Sequence, residues 1–146
     1  MSETYITKST EETINLGAKL AKSLKGGDII LLYGDLGAGK TQFTKGVAKG
    51  LGITEMVTSP TFTIERIYQG KRLVLHHFDL YRTHEDREIA EQISEFARSG
   101  VDVAVIEWPE NMQNLTKYSR LKVSFEEPED EATRKITIEK VRDGWS

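Results

Sequence analysis

The stretch Gly34 to Thr41, G-D-L-G-A-G-K-T, constrains this chain more than any other feature of its sequence. It has the G-x-x-x-x-G-K-T spacing of a phosphate-binding loop, and its flanks suit that role. Ile29 to Tyr33 before it is an unbroken apolar run of strand length, as expected of a parallel strand covered on both faces. After it, Phe43, Val47 and Leu51 recur on one helical face, and Gly50 and Gly52 lie where that helix would end. Gly34, Gly37 and Gly39 allow positive φ and a close backbone approach to a ligand. The loop amides, with the unpaired donors and dipole of the helix start, then favour an anion. Lys40 would reach the β- and γ-phosphates of a nucleoside triphosphate, and the Thr41 hydroxyl would ligate Mg²⁺. The other reading, a strand-to-helix turn that binds nothing, does not explain why motif, strand and helix agree.

Composition narrows the rest. A chain of 146 residues fits one domain, residues 1–146, and 38% hydrophobic residues can furnish its core. Twenty basic against 23 acidic residues leave a net charge of −3, so nucleic acid is expected to be at most an indirect partner. The absence of cysteine excludes disulfides and thiolate metal sites and suits a reducing cytoplasm. No apolar run approaches a membrane span and no signal-peptide core is present, so a soluble cytoplasmic protein is expected.

Tyr5 to Thr7 reads as a short edge strand. Ser9 and Glu12 have capping-box spacing and open a helix with Leu16, Leu20 and Leu24 as its stripe, ended by Gly26-Gly27. Thr10 is either a first-turn residue or a contact to the nucleotide base. Ser59-Pro60 breaks the segment from Met56 to Tyr68, and Thr61 or Thr63 just after it can present a hydroxyl to a γ-phosphate. Gln69-Gly70-Lys71 reads as a hairpin turn into a strand from Leu73 to Leu80. That strand ends in H-H-F-D-L-Y-R, with Asp79 where open α/β sheets bind ligands. His76 and His77 are adjacent strand residues, point to opposite faces, and are poorly placed to share one metal ion.

Thr83 can cap a helix to about Ala97, with Ile89, Ile93 and Phe96 inward. Val101 to Ile106 is a second buried-strand run, closing on Glu107-Trp108-Pro109-Glu110. Hydrophobics followed by an acid is the form of the strand that holds Mg²⁺ beside a phosphate loop, here with Glu107 instead of the usual Asp. Trp108 is either core or a lid over the site. Leu121 to Phe125 and Arg134 to Glu139 alternate like a hairpin, giving the sheet an antiparallel edge.

Taken in order, G-D-L-G-A-G-K-T, S-P-T-F-T, H-F-D-L-Y-R and E-W-P-E resemble the bacterial ATPase family of tRNA threonylcarbamoyladenosine biosynthesis, the TsaE type formerly called YjeE. The resemblance runs from about Ser9 to Trp108 and more weakly into the last hairpin. It implies a three-layer α/β P-loop NTPase-like fold, with a mainly parallel central sheet, antiparallel edge strands and helices on both faces. It also implies a cytoplasmic ATPase, using ATP and Mg²⁺, that supports turnover of a two-protein tRNA threonylcarbamoyl-transfer complex (TsaB/TsaD type) modifying adenosine 37. The tRNA itself is touched only indirectly.

By that likeness Gly34, Asp35, Leu36, Gly37, Ala38, Gly39, Lys40 and Thr41 hold the phosphates, and Thr41, Glu107 and Asp79 form the metal shell or orient water. Thr61 belongs to a switch-like loop, Trp108 lies beside the site, and Thr10 and Arg134 line the adenine side. The family pattern has a second Thr after Lys-Thr, where this chain has Gln42. Arg82 is a candidate internal arginine finger. A small-molecule or nucleoside kinase is the alternative enzyme, although little chain remains for an acceptor pocket and lid. A GTPase switch would carry N-K-x-D, and neither Asn111 nor Asn114 starts one.

Overall fold

The computed structural model describes residues 2–35, 38–57, 65–81, 87–111, 121–127, 130 and 132–140. Its elements follow as β1 (Ser2–Thr7), α1 (Thr10–Ala21), β2 (Ile29–Tyr33), α2 (Lys40–Gly50), β3 (Glu65–Gln69), β4 (Val74–Asp79), α3 (Arg87–Phe96), β5 (Asp102–Glu107), a 3-10 turn (Pro109–Asn111), β6 (Leu121–Phe125) and β7 (Arg134–Lys140). The strands form one seven-stranded sheet in the order β1-β7-β6-β2-β5-β4-β3. β6, β2, β5 and β4 run parallel, whereas β7 is antiparallel to β6 and to β1, and β3 is antiparallel to β4. This is the expected mainly parallel sheet with antiparallel flanks.

Strand alternation divides the core in two. Ile30, Leu32, Val103 and Val105 face the α1/α2 layer and pack on Phe43, Val47 and Leu51. Ile29, Leu31, Ala104 and Ile106 face the other way, onto Ile93 and Phe96 of α3. The uninterrupted apolar run of β2 therefore reflects cover on both faces. Among the described residues no helix is long and apolar enough to cross a membrane.

The start of α1 is capped as expected. Ser9 Oγ accepts the Glu12 N–H at 3.0 Å, while Glu12 Oε1 accepts the Lys8 N–H at 2.8 Å, one residue before the cap. The helix is shorter than its leucine spacing suggests, because it ends at Ala21 with Lys22 as C-cap. Leu24 is buried beyond the helix end, in the same core as Leu16 and Leu20. The closest contact between α1 and α2 falls on glycine. A Cβ at Gly46 would lie 1.9 Å from the Ile14 carbonyl oxygen, and one at Gly17 would lie 2.2 Å from that of Phe43. Backbone thus meets backbone, which sets α2 at a fixed depth over the sheet. Phe43, fully buried in the first turns of α2, packs edge-on against Phe125 of β6 at 5.7 Å.

The last hairpin forms the expected antiparallel pair, β6 with β7. Leu121 pairs with Ile30, so β6 lies inside the sheet beside β2, and only β7 and β1 form the antiparallel flank. The alternation of β6 follows from its cover: Leu121, Val123 and Phe125 enter the α1/α2 core, and Ser124 on the other face is exposed.

Candidate nucleotide site

Three strand ends meet at one sheet edge. Leu32 of β2 pairs with Glu107 of β5, and Glu107 pairs with Asp79 of β4. The chain leaving β2 turns at Gly34, whose φ of 148° is open to glycine, and enters α2 through Gly39, φ 106°. Gly39 is the N-cap of α2 and offers no side-chain cap to the first amides of the helix. Leu36, Gly37, Thr61 and Arg82 lie outside the described residues, as does the Thr83 cap.

Lys40 opens α2 and is only 4% exposed. Its Nζ has no hydrogen-bond partner among the described residues and lies 3.8 Å from the centroid of the Trp108 ring. Burial pushes this ammonium below its ordinary pKa, against the attraction of Glu107, Glu110, Asp79 and Asp35. A cation buried this way fits a ligand with anionic oxygens, and the acids around it fit a divalent cation beside that ligand. Glu110, which the sequence reading left unassigned, belongs to this field.

The two strand-end acids are held differently. Asp79 Oδ1 accepts the Tyr81 N–H at 3.0 Å, closing the turn after β4. Glu107 is 4% exposed, and its Oε2 lies 2.6 Å from His77 Nε2. His76 points to the opposite face, between Glu65 at 2.7 Å and Asp102 at 2.8 Å, so the histidines are separate as expected. Among the described residues no group of three or more His, Cys, Asp or Glu could hold a metal ion by itself.

Trp108 follows Glu107 in the left-handed region, φ 61°, which is costly for a bulky side chain. That turn lays the indole against Tyr81 at 4.8 Å and over Lys40. The ring also packs on the α3-side core, which accords with the core reading of Trp108. Ala38 is fully buried and Thr41 half-buried in the loop and first turn. Arg134 borders the loop, since a Cβ on Gly39 would lie 3.5 Å from its Nε. Thr10 is exposed at the start of α1, three residues beyond Thr7, which pairs with Arg134. Sequence reasoning missed His77 as a partner of Glu107. The period-two repeat places it on the Asp79 face, but only the register of β4 against β5 shows that it reaches Glu107.

A parallel sheet, a glycine-flanked loop opening a helix and a buried lysine facing strand-end acids define a protein of the P-loop NTPase-like class. The family model described as threonylcarbamoyl adenosine biosynthesis protein TsaE matches residues 7–136, and the chain belongs to that family. The tRNA threonylcarbamoyladenosine biosynthesis protein TsaE of Bacillus subtilis is 40% identical over 90% of this chain and 82% of its own. Its namesake from a Nostoc species is 45% identical over 70% of this chain, which spans 65% of that relative's length. The crystal structure of Bacillus subtilis YdiB superposes with a TM-score of 0.78 at 35% identity, covering 99% of this chain and 89% of YdiB.

Proposed function

We propose that residues 1–146 act as one Mg²⁺-dependent ATPase domain, converting ATP to ADP and phosphate. It would hydrolyse slowly alone and faster with the two-protein threonylcarbamoyl-transfer complex that modifies adenosine 37 of tRNA in the cytoplasm. The observation that carries this reading is the Lys40 ammonium, buried at the start of α2 without an acceptor among the described residues and in the field of Glu107, Glu110, Asp79 and Asp35.

In this reading the amides of Gly39, Lys40 and Thr41 bind the β- and γ-phosphate oxygens, and Lys40 neutralises charge that builds between them. A divalent cation held at this site would supply positive charge against the phosphate oxygens. Thr41, Asp79 and Glu107 hold its shell, and one of the two acids orients the attacking water. Trp108 and Tyr81 exclude bulk water from the lysine. Arg134 supports the loop at Gly39, and with Thr10 it borders the base.

The test measures ADP release by the purified chain, with and without Mg²⁺, candidate acceptors and the partner pair. Release that needs Mg²⁺, no acceptor, and rises with the pair is expected. Release that requires a phosphoryl acceptor would identify a kinase and overturn the reading. Lys40→Ala is expected to remain folded by circular dichroism and to lose turnover by about 10²-fold or more.

A further inference from the structure

Among the described residues two buried side-chain atoms lack a hydrogen-bond partner, Lys40 Nζ and His77 Nδ1. The first is explained by an anionic ligand. The second is not, because His77 is fully buried, 0% exposed, on the face of β4 that carries Asp79 two residues later. That face is otherwise apolar, with Leu75, Val103 and Val105 in the same core. The single polar engagement of the ring among the described residues is Nε2 to Glu107 Oε2, at 2.6 Å.

A leucine or phenylalanine here would fill an apolar core without leaving a nitrogen unsatisfied. The position carries an imidazole all the same, and what the imidazole adds is one donor aimed at Glu107. Register explains the reach. Asp79 is the direct partner of Glu107, so His77 lies diagonally behind it on the same face. The Glu side chain can turn one oxygen back to His77, and an Asp at 107 would be a methylene shorter. With a carboxylate as acceptor Nε2 is the donor, and Nδ1 has no partner among the described residues. No described residue donates to the other oxygen, Oε1.

We infer that His77 is the positioning residue of Glu107. It clamps Oε2, fixes the orientation of the carboxylate and leaves Oε1 as the oxygen offered to the divalent cation of the site. This role rests on the proposed function. His77 itself touches neither nucleotide nor metal. Groups that orient a metal-binding carboxylate typically change metal affinity by about 10–100-fold when removed.

The experiment compares wild type, His77→Leu and His77→Gln in the full chain. Gln keeps an N–H donor near the position of Nε2, and Leu does not. Thermal melts establish folding, ADP affinity is measured without divalent cation, and Mn²⁺ affinity of the ADP-bound protein is read by electron paramagnetic resonance. All three proteins are expected to bind metal-free ADP alike. Mn²⁺ affinity is expected to fall about 10–100-fold in His77→Leu and to be largely restored in His77→Gln. In a Glu107→Gln background, His77→Leu is expected to add no further loss, because the coupling runs through that carboxylate. If the Leu variant does not fold, His77→Asn, whose amide falls short of Glu107, is read in its place. Mn²⁺ affinity unchanged in a folded Leu or Asn variant overturns the role, and so does an undiminished loss in the Glu107→Gln background. A wild type that binds ADP but no Mn²⁺ overturns the Mg²⁺ reading itself, which the wild-type arm reveals separately.

Discussion

Lys40 is a buried cation whose Nζ has no hydrogen-bond partner among the described residues. Its charge is desolvated, and burial lowers its pKa from the ordinary 10.5 although four acids favour the cation. A lysine whose folded pKa lies below its unfolded value binds fewer protons in the native state. Stability therefore rises with pH through the window between the depressed value and 10.5, and at neutral pH the buried charge is a net cost. Lys40→Met removes that cost. It is expected to raise the melting temperature of the nucleotide-free protein while ADP release disappears, a stability gain bought with function. Melting below the wild type would mean that the lysine is a structural ion-pair partner. The local sequence made this residue legible as a ligand group, since motif and helix period place it at the start of α2. Its burial under Trp108 was not legible, because that depends on one backbone angle, φ 61° after Glu107.

At the scale of elements, α2 is the part that must not move, and α1 holds it through Gly17 and Gly46. Gly46→Ala places a methyl 1.9 Å from a carbonyl oxygen, so the helices must separate. A loss of about 1–3 kcal/mol is expected for such overpacking, read as a lowered midpoint in denaturant titration. Nucleotide affinity should fall with it, because Lys40 and Thr41 ride on the displaced helix. Ser9→Ala, by contrast, is expected to cost only about 1 kcal/mol of stability at the α1 cap and to leave nucleotide affinity unchanged. The cap was readable because Ser9 and Glu12 satisfy each other's neighbourhood locally. The glycine contact was not, since spacing alone presents Gly46 as an ordinary helix residue and says nothing of Ile14 opposite.

Across the far side of the sheet, His76 ties β3 to β5 through Glu65 and Asp102. Burial raises the Asp102 pKa, but hydrogen bonds from His76 and Ser99 outweigh it and hold the carboxyl below 3.8. A depressed carboxylate pKa stabilises the fold above its unfolded value, and that contribution is lost as pH falls through the folded one. Asp102→Asn is therefore expected to flatten the acid side of the stability profile and to lower stability at neutral pH, as measured by thermal melts across the carboxylate range. An acid limb as steep as that of the wild type would show that Asp102 takes no part in it.

For the molecule as a whole, the parts written in short stretches were legible: β2 from its apolar run, the loop from its glycines, α3 from Ile89, Ile93 and Phe96. What joins distant stretches was not. The insertion of β6 between β2 and β7 rests on Leu121 meeting Ile30, and the His77–Glu107 clamp rests on the register of β4 against β5. Both bear on the proposed site: β6 packs Phe125 against Phe43 in the first turns of α2, and β4 brings His77 to Glu107. In the proposed function the loop and the strand ends of β4 and β5 enclose one nucleotide with its metal. A crystal structure grown with a non-hydrolysable ATP analogue and Mg²⁺ tests this most directly. Phosphate oxygens are expected on the amides of residues 39–41 and on Lys40 Nζ, with the metal between Thr41 and the carboxylates of Asp79 and Glu107. A loop left empty at saturating analogue, or both carboxylates turned away from the bound phosphates, would contradict it.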